Sequence, residues 1–510
     1  MQPEKPIGRL TEAYLGAEIS RRQLLEGALK LGLSATAAGA LLAACTKDAN
    51  DTSASPTTAG ATATTAKQLS GKVQILVGFG TGNSPAQLPV QAALAAAFTS
   101  AHPGVSIDFL RVPSGSSDAA TKLTTLIAGG QPPDLVLPAG LFGISKFVDQ
   151  NVWLDLRPFF DRDGISLDRF LPETITGARV PNYFGPEGKS IIGVPIDVHD
   201  HAIAYNEELF AKAGVAPPPT SWSDPSWTLE GKFLDTARAL TVDTAGKHPN
   251  EPGFNADKVA QYGVGNFFRE TVFYDFGGHI YDEASKKARF DQPGAVAGIQ
   301  FAADLVNVHK VMPSDTQVAQ LGSGGGKGNE AQFAWRQGKL AMIDMCSCNI
   351  KTPYGTDVPF AWKAAALPAG PDRRFGFLNL DVGAIVAAGK NHDLAWEVLK
   401  FLAIEPANEK QLAYESYGGV PPLKETQAAF ADGIARDLPK VDPKVWIDGF
   451  PSSSPENEAW FPAFSEVNDL IGKSFDSIMS GTPAATAMPQ LQTQAQAKID
   501  EWFKTHKLPR

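Results

Sequence analysis

The chain has 510 residues, a formal net charge of -10, and a composition that is 43% hydrophobic and 20% charged. That length accommodates two or three domains of ordinary globular make-up, and the acidic balance excludes a broad nucleic-acid-binding face. Three cysteines exclude a disulfide framework as the basis of the fold.

At the N-terminus, Arg21 and Arg22 precede Leu24 and Leu25 and open a weakly apolar run, interrupted by Lys30, that ends Leu42-Ala43-Ala44-Cys45. The run is short for a membrane span, which needs ~20 apolar residues, so residues 1–44 read as a cleavable export signal. The paired arginines resemble a twin-arginine signal, and the ending resembles a lipobox. That pattern places a lipid on Cys45 and the protein on the outer face of the bacterial cytoplasmic membrane. An uncleaved anchor helix is the alternative. Residues 45–68 are small and polar and form a flexible tether.

The folded part begins with "KVQILVGFG", an apolar β-branched run ending in glycine and therefore a strand. An alanine-rich helix at residues 89–98 follows, then a strand in "HPGVSIDFLRV". A helix ended by Gly129-Gly130 leads to a short strand at residues 135–137. This alternation predicts a parallel α/β sheet, which binds ligands at the carboxyl ends of its strands. Further along come a strand at residues 340–345, a strand in "VGAIVAAG", an amphipathic helix in "HDLAWEVLKFLA", and a mainly helical stretch from Trp460 onward.

Two motifs mislead. "LGSGGGKGN" lacks the phosphate-loop spacing, because Leu321 and Gly328 stand where glycine and Ser or Thr belong. Cys346 and Cys348, one residue apart, read as small side chains packed beside a cleft rather than as a disulfide. No GxSxG, HExxH or dinucleotide fingerprint occurs, so catalysis has little support. The densest polar segment is "VPIDVHDHAIAYN", with Asp197, His199, Asp200 and His201. On one strand, alternate side chains share a face, so Asp197, His199 and His201 are expected to point the same way. A metal needs three or four ligands, usually from several segments. A polar ligand-contacting edge, or an ordinary satisfied polar strand end, is therefore preferred to a metal site.

The segment "GVPIDVHDHAIAYNEELFAKAGVAPPPTSW", followed in order by "AWRQGKLAMIDM", "AALPAGP" and "AWEVLKFLA", resembles the family 1 extracellular solute-binding proteins, the sugar receptors of ABC importers. The resemblance runs from about Leu69 to Trp502. It implies a two-lobed α/β fold of the periplasmic-binding-protein type (type II), with the ligand in the cleft and three crossover segments near residues 198–202, 380–382 and 446–451. One lobe would hold residues 69–199 and 383–446, the other residues 200–382 and 447–510. It further implies a monomer with no cofactor, catalytic residue or resident metal, whose partners are a sugar, the importer's permease subunits and, through lipid, the membrane.

By position, the implied solute contacts are Thr81, Asn83, Ser84, His199, Asp200, Asn266, Phe267, Phe268, Cys346, Ser347, Asp381 and Trp460. Two customary stacking positions are missing: Met345-Cys346-Ser347 stands after the "GKLAM" segment, and Pro138 follows Leu137. A small, polar sugar is expected rather than a long dextrin. The alternatives are a glycerol-phosphodiester receptor of the same fold, using Arg111 or Arg269, and a surface-anchored metal enzyme using His199 and His201.

Overall fold

In the computed structural model, the described residues are 68–78, 87–112, 116–179, 190–265, 267, 269–323, 330–455 and 459–506. The export signal, Cys45 and most of the tether lie outside them. Among the described residues no helix is long and apolar enough to cross a membrane.

The first sheet grows from β-branched and leucine-rich runs. Strand β1 (Ser70–Val77) buries Val73, Ile75, Leu76 and Val77 completely. It pairs in parallel with β2 (Gly104–Arg111) on one side and β3 (Leu135–Gly140) on the other. Helix Leu88–Ala101 connects the first two strands, and helix Ser116–Ala128 the next two. Beyond β3 the sheet adds β13 (Asn379–Ile385) and then β4 (Val194–His199). The expected parallel alternation holds for β1 to β3, but β13 runs antiparallel to both its neighbours. It arrives from a distant part of the chain, so no local crossover dictates its direction. Helix His392–Ala403 covers this sheet with Leu394, Ala395, Val398, Leu399 and Leu402 buried at helical spacing.

The second sheet is antiparallel, with β5 (His201–Asn206) central between β10 (Met342–Cys346) and β11 (Trp362–Ala365). Asn206 ends β5 and caps the next helix, Glu207–Ala213, accepting from the backbone N–H of Glu208 at 2.9 Å and of Leu209 at 3.2 Å. Gly214 closes that helix with φ +65°, a conformation costly for other residues. Two short ribbons, β6 (Val242–Asp243) with β7 (Val259–Gln261) and β8 (Tyr281–Asp282) with β9 (Lys287–Ala288), decorate this half. The long C-terminal helices Phe464–Met479 and Ala484–Thr505 pack on each other and on helix Pro293–Asn307.

One residue joins the sheets. His199, the last of β4, pairs with Asn379 in the first sheet; His201, the first of β5, pairs with Cys346 in the second. Asp200 lies between them. Residues 380–382, expected as the second crossing, instead lie inside β13 and pair with β3 and β4, so that crossing precedes Asn379. There β12 (Gly376–Phe377) runs parallel to β14 (Ser453–Ser454), just after the third segment.

Candidate functional site

A strand end that stops at a sheet boundary presents its last side chains to whatever lies between the sheets. Asp197 and His199 alternate along β4, and Asp381 on β13 sits directly opposite Asp197 in register. Asp197 is 0% exposed, His199 1% and Asp381 6%. One ligand atom from each lies within 4.8 Å of the others. His199 Nε2 is 3.3 Å from Asp197 Oδ1, while its Nδ1 meets Ser347 Oγ at 3.2 Å. Neither carboxylate oxygen of Asp197 nor His199 Nε2 has a hydrogen-bond partner of proper geometry. Buried polar atoms are seldom left so.

The surroundings are polar and tight. Burial first, and then the charges of Asp197 and Asp381, hold the Tyr417 phenol well above its ordinary pKa, so it remains a neutral donor. Gln91 Nε2 donates to Tyr417 Oη at 3.4 Å, and Arg111 Nη1 donates to Gln91 Oε1 at 3.0 Å. Gly419 passes over the cluster: a Cβ there would lie 2.7 Å from Asp197 Cβ and 2.7 Å from His199 Cε1. Glycine is needed at this position because backbone and site side chains come too close for any other residue.

His201 does not join this cluster, contrary to the shared face expected of one continuous strand. The break at Asp200 places it in the second sheet, where its Nδ1 meets Asp344 Oδ1 at 2.7 Å and its Nε2 meets Asn379 Oδ1 at 2.9 Å. Burial alone would depress the imidazole, but Asp344, Asn379 and Asp200 outweigh it and hold its pKa above the ordinary value.

Asp200, an expected solute contact, is held within the joint itself. It is fully buried, and its Oδ1 accepts from His201 N at 2.8 Å and Ser453 Oγ at 2.8 Å. It therefore ties the first crossing to the third. Burial pushes its carboxyl up to about 7, despite those hydrogen bonds.

Ser347 is fully buried and belongs to the cluster through His199; its backbone N–H also donates to Asp200 O at 2.9 Å. Cys346 and Cys348 are joined as a disulfide, which corrects their reading as two free small side chains. The turn at Ser347 brings the two cysteines face to face, with Cα atoms 5.1 Å apart.

Phe267 is buried against Phe233, with ring centroids 5.1 Å apart, and lines a separate groove of 630 Å³ with Arg269 and Met312. Trp460 is also buried: its Nε1 donates to Asp149 Oδ1 at 3.0 Å and its ring meets Trp502 edge-on at 5.6 Å. Thr81, Asn83, Ser84, Asn266 and Phe268 lie outside the described residues. Asp197 and Tyr417 were absent from the implied contacts. The period of two from His199 singles out Asp197; no local signal marks Tyr417, which the fold delivers from the end of the distant helix Gln411–Tyr417.

Two sheets joined through such a polar junction suit a protein that receives a small solute, and comparison with known proteins agrees. The chain belongs to the bacterial extracellular solute-binding protein family, whose model matches residues 81–409. It is similar to a binding protein of Brucella abortus, with 24% identity over 311 residues, or 60% of this chain and 66% of that protein. The chain thus matches just under two thirds of that relative's length.

Among solved structures, it resembles an ABC substrate-binding protein of Listeria monocytogenes in complex with cycloalternan. There the TM-score is 0.66 and identity 15%, covering 84% of this chain and 99% of that one. UgpB of Mycobacterium tuberculosis in complex with glycerophosphocholine gives a TM-score of 0.63 and 17% identity, covering 85% and 99%. The fold is therefore the two-lobed type II periplasmic-binding-protein architecture, as the sequence implied.

Proposed function

We propose that this protein is the extracytoplasmic solute-binding subunit of an ABC-type carbohydrate importer, held at the membrane through lipid on Cys45, and that it carries out no chemistry of its own. The observation that carries the reading is the polar junction between the sheets. Asp197 and His199 are buried there with donor and acceptor capacity unmet, beside Asp381, Ser347 and Tyr417. Sugar hydroxyls both donate and accept, so they suit such a set. A site built for them rejects solutes that lack them. Because the sheets meet at Asp200, a solute gripped from both sides favours the closed arrangement, which the permease can sense.

The side chains of the cluster itself are polar, in keeping with a small polar sugar, while Phe377 stands 5.4 Å from the His201 ring. Thr81, Asn83, Ser84, Asn266 and Phe268, which lie outside the described residues, complete the proposed contacts.

A phosphodiester is the second reading, favoured by the structural likeness to UgpB. It calls for a cation at the site. Arg111 meets the cluster's edge through Gln91, at 3.0 Å, whereas Arg269 is spoken for by Asp476 at 2.7 Å and Glu270 at 3.1 Å, and the cluster itself is acidic. The metal-enzyme reading that paired His199 with His201 loses its geometry, since the two histidines serve different sheets.

Thermal melting against a panel of mono- and disaccharides, polyols and glycerophosphocholine tests the proposal. One or more sugars should raise the melting temperature in a concentration-dependent way. A response to glycerophosphocholine alone would transfer the assignment to the phosphodiester.

A further inference from the structure

The geometry points to a divalent-cation site, of the zinc class, formed by Asp197, His199 and Asp381 at the junction of the two sheets. The donors are two carboxylates and one imidazole nitrogen from two adjacent strands, already within 4.8 Å of one another. Zinc holds such donors ~2.0 to 2.2 Å away, which in a tetrahedron spaces them about 3.4 Å apart. Binding therefore asks these atoms to close by at most ~1.4 Å.

Three features separate it from a casual acidic patch. Asp197 is 0% exposed and both its oxygens lack a hydrogen-bond partner, so the imidazole of His199, 3.3 Å from Oδ1, is the one basic group the structure sets against this buried carboxylate among the described residues. Such a charge is costly unless paired or metal-bound.

His199 is oriented as a ligand. Its Nδ1 engages Ser347 Oγ at 3.2 Å, which leaves Nε2 facing Asp197 with no hydrogen-bond partner. An outer hydrogen bond on the far nitrogen is how metal-binding histidines are held.

Gly419 brings backbone over the cluster where a Cβ would collide with both Asp197 and His199, so the main chain packs directly against both donors. Three donors leave one tetrahedral position for water or a solute hydroxyl. The donor set has nitrogen and oxygen only, which suits zinc and disfavours soft thiolate metals. The alternative is that the contact between His199 and Asp197 serves structure alone, and the two differ in what they bind.

The test is zinc titration of the chelator-stripped full-length protein, without sugar, so that this inference and the carbohydrate reading can fail independently. One equivalent of zinc should bind and raise the melting temperature. Asp197→Asn and His199→Gln, close in shape to the originals, should each weaken zinc affinity at least 100-fold, and Ser347→Ala by ~10-fold or more. His248→Gln, remote in sequence from these segments, should leave affinity unchanged. Cobalt(II) substitution of the unaltered protein gives a readout that needs no variant: visible d–d bands without thiolate charge-transfer absorption. Failure to bind zinc, retention of full affinity in both Asp197→Asn and His199→Gln, or a thiolate signature in the cobalt spectrum would each overturn the site.

Discussion

Replacing Asp200 by Asn probes the joint between the sheets. Burial pushes this carboxyl from 3.8 to about 7, so the folded protein keeps a proton that the unfolded chain releases. Between pH ~4 and ~7 the unfolded state therefore binds fewer protons than the native state, and stability falls as pH rises through that window. At ~1.4 kcal/mol per unit, a shift of about three units amounts to roughly 4 kcal/mol. Asn keeps an oxygen where Asp200 Oδ1 accepts from His201 N and Ser453 Oγ but carries no charge. The variant should lose this share of the pH dependence, so that its stability relative to the parent rises by several kcal/mol from pH 4.5 to pH 8. Urea unfolding followed by tryptophan fluorescence across that range reads it. Parallel pH profiles for the two proteins would refute the reasoning, because they would mean that Asp200 titrates alike in both states.

Gly419→Ala forces a methyl group against Asp197 and His199, each 2.7 Å from the new atom; it should cost ~1 to 3 kcal/mol and abolish solute binding by titration. Trp460→Phe removes the donor to Asp149, whose carboxyl burial has already pushed up to about 6. The urea midpoint should fall by an amount equivalent to ~1 to 3 kcal/mol at pH 8, and by less at pH 5, where Asp149 is protonated. Asn206→Ala strips the cap from helix Glu207–Ala213 and should cost about 1 kcal/mol, read by thermal melting.

Much of the frame was legible where pattern and packing agree. The apolar, β-branched run before Gly78 became β1, and the "HDLAWEVLKFLA" stripe became the helix over the first sheet. The direction of β13 was not legible, since it depends on which sheet edge is open when residues ~240 positions after β3 arrive. The site was half legible. Alternation along β4 placed Asp197 beside His199, but the same rule wrongly carried His201 to that face. A period of two holds only while the strand stays in one sheet, and nothing in "DVHDH" announces the change at Asp200. Tyr417 and Gly419 reach the cluster through tertiary packing alone, which local propensity does not encode.

The central claim is that the junction containing Asp197 and His199 receives a carbohydrate. Isothermal titration of the full-length protein and of His199→Ala, with whichever sugar most raises the melting temperature, tests it most directly. The account predicts saturable one-to-one binding that weakens at least tenfold in the variant. Equal affinity in both proteins, or no binding of any sugar by a protein shown to be folded, would contradict it.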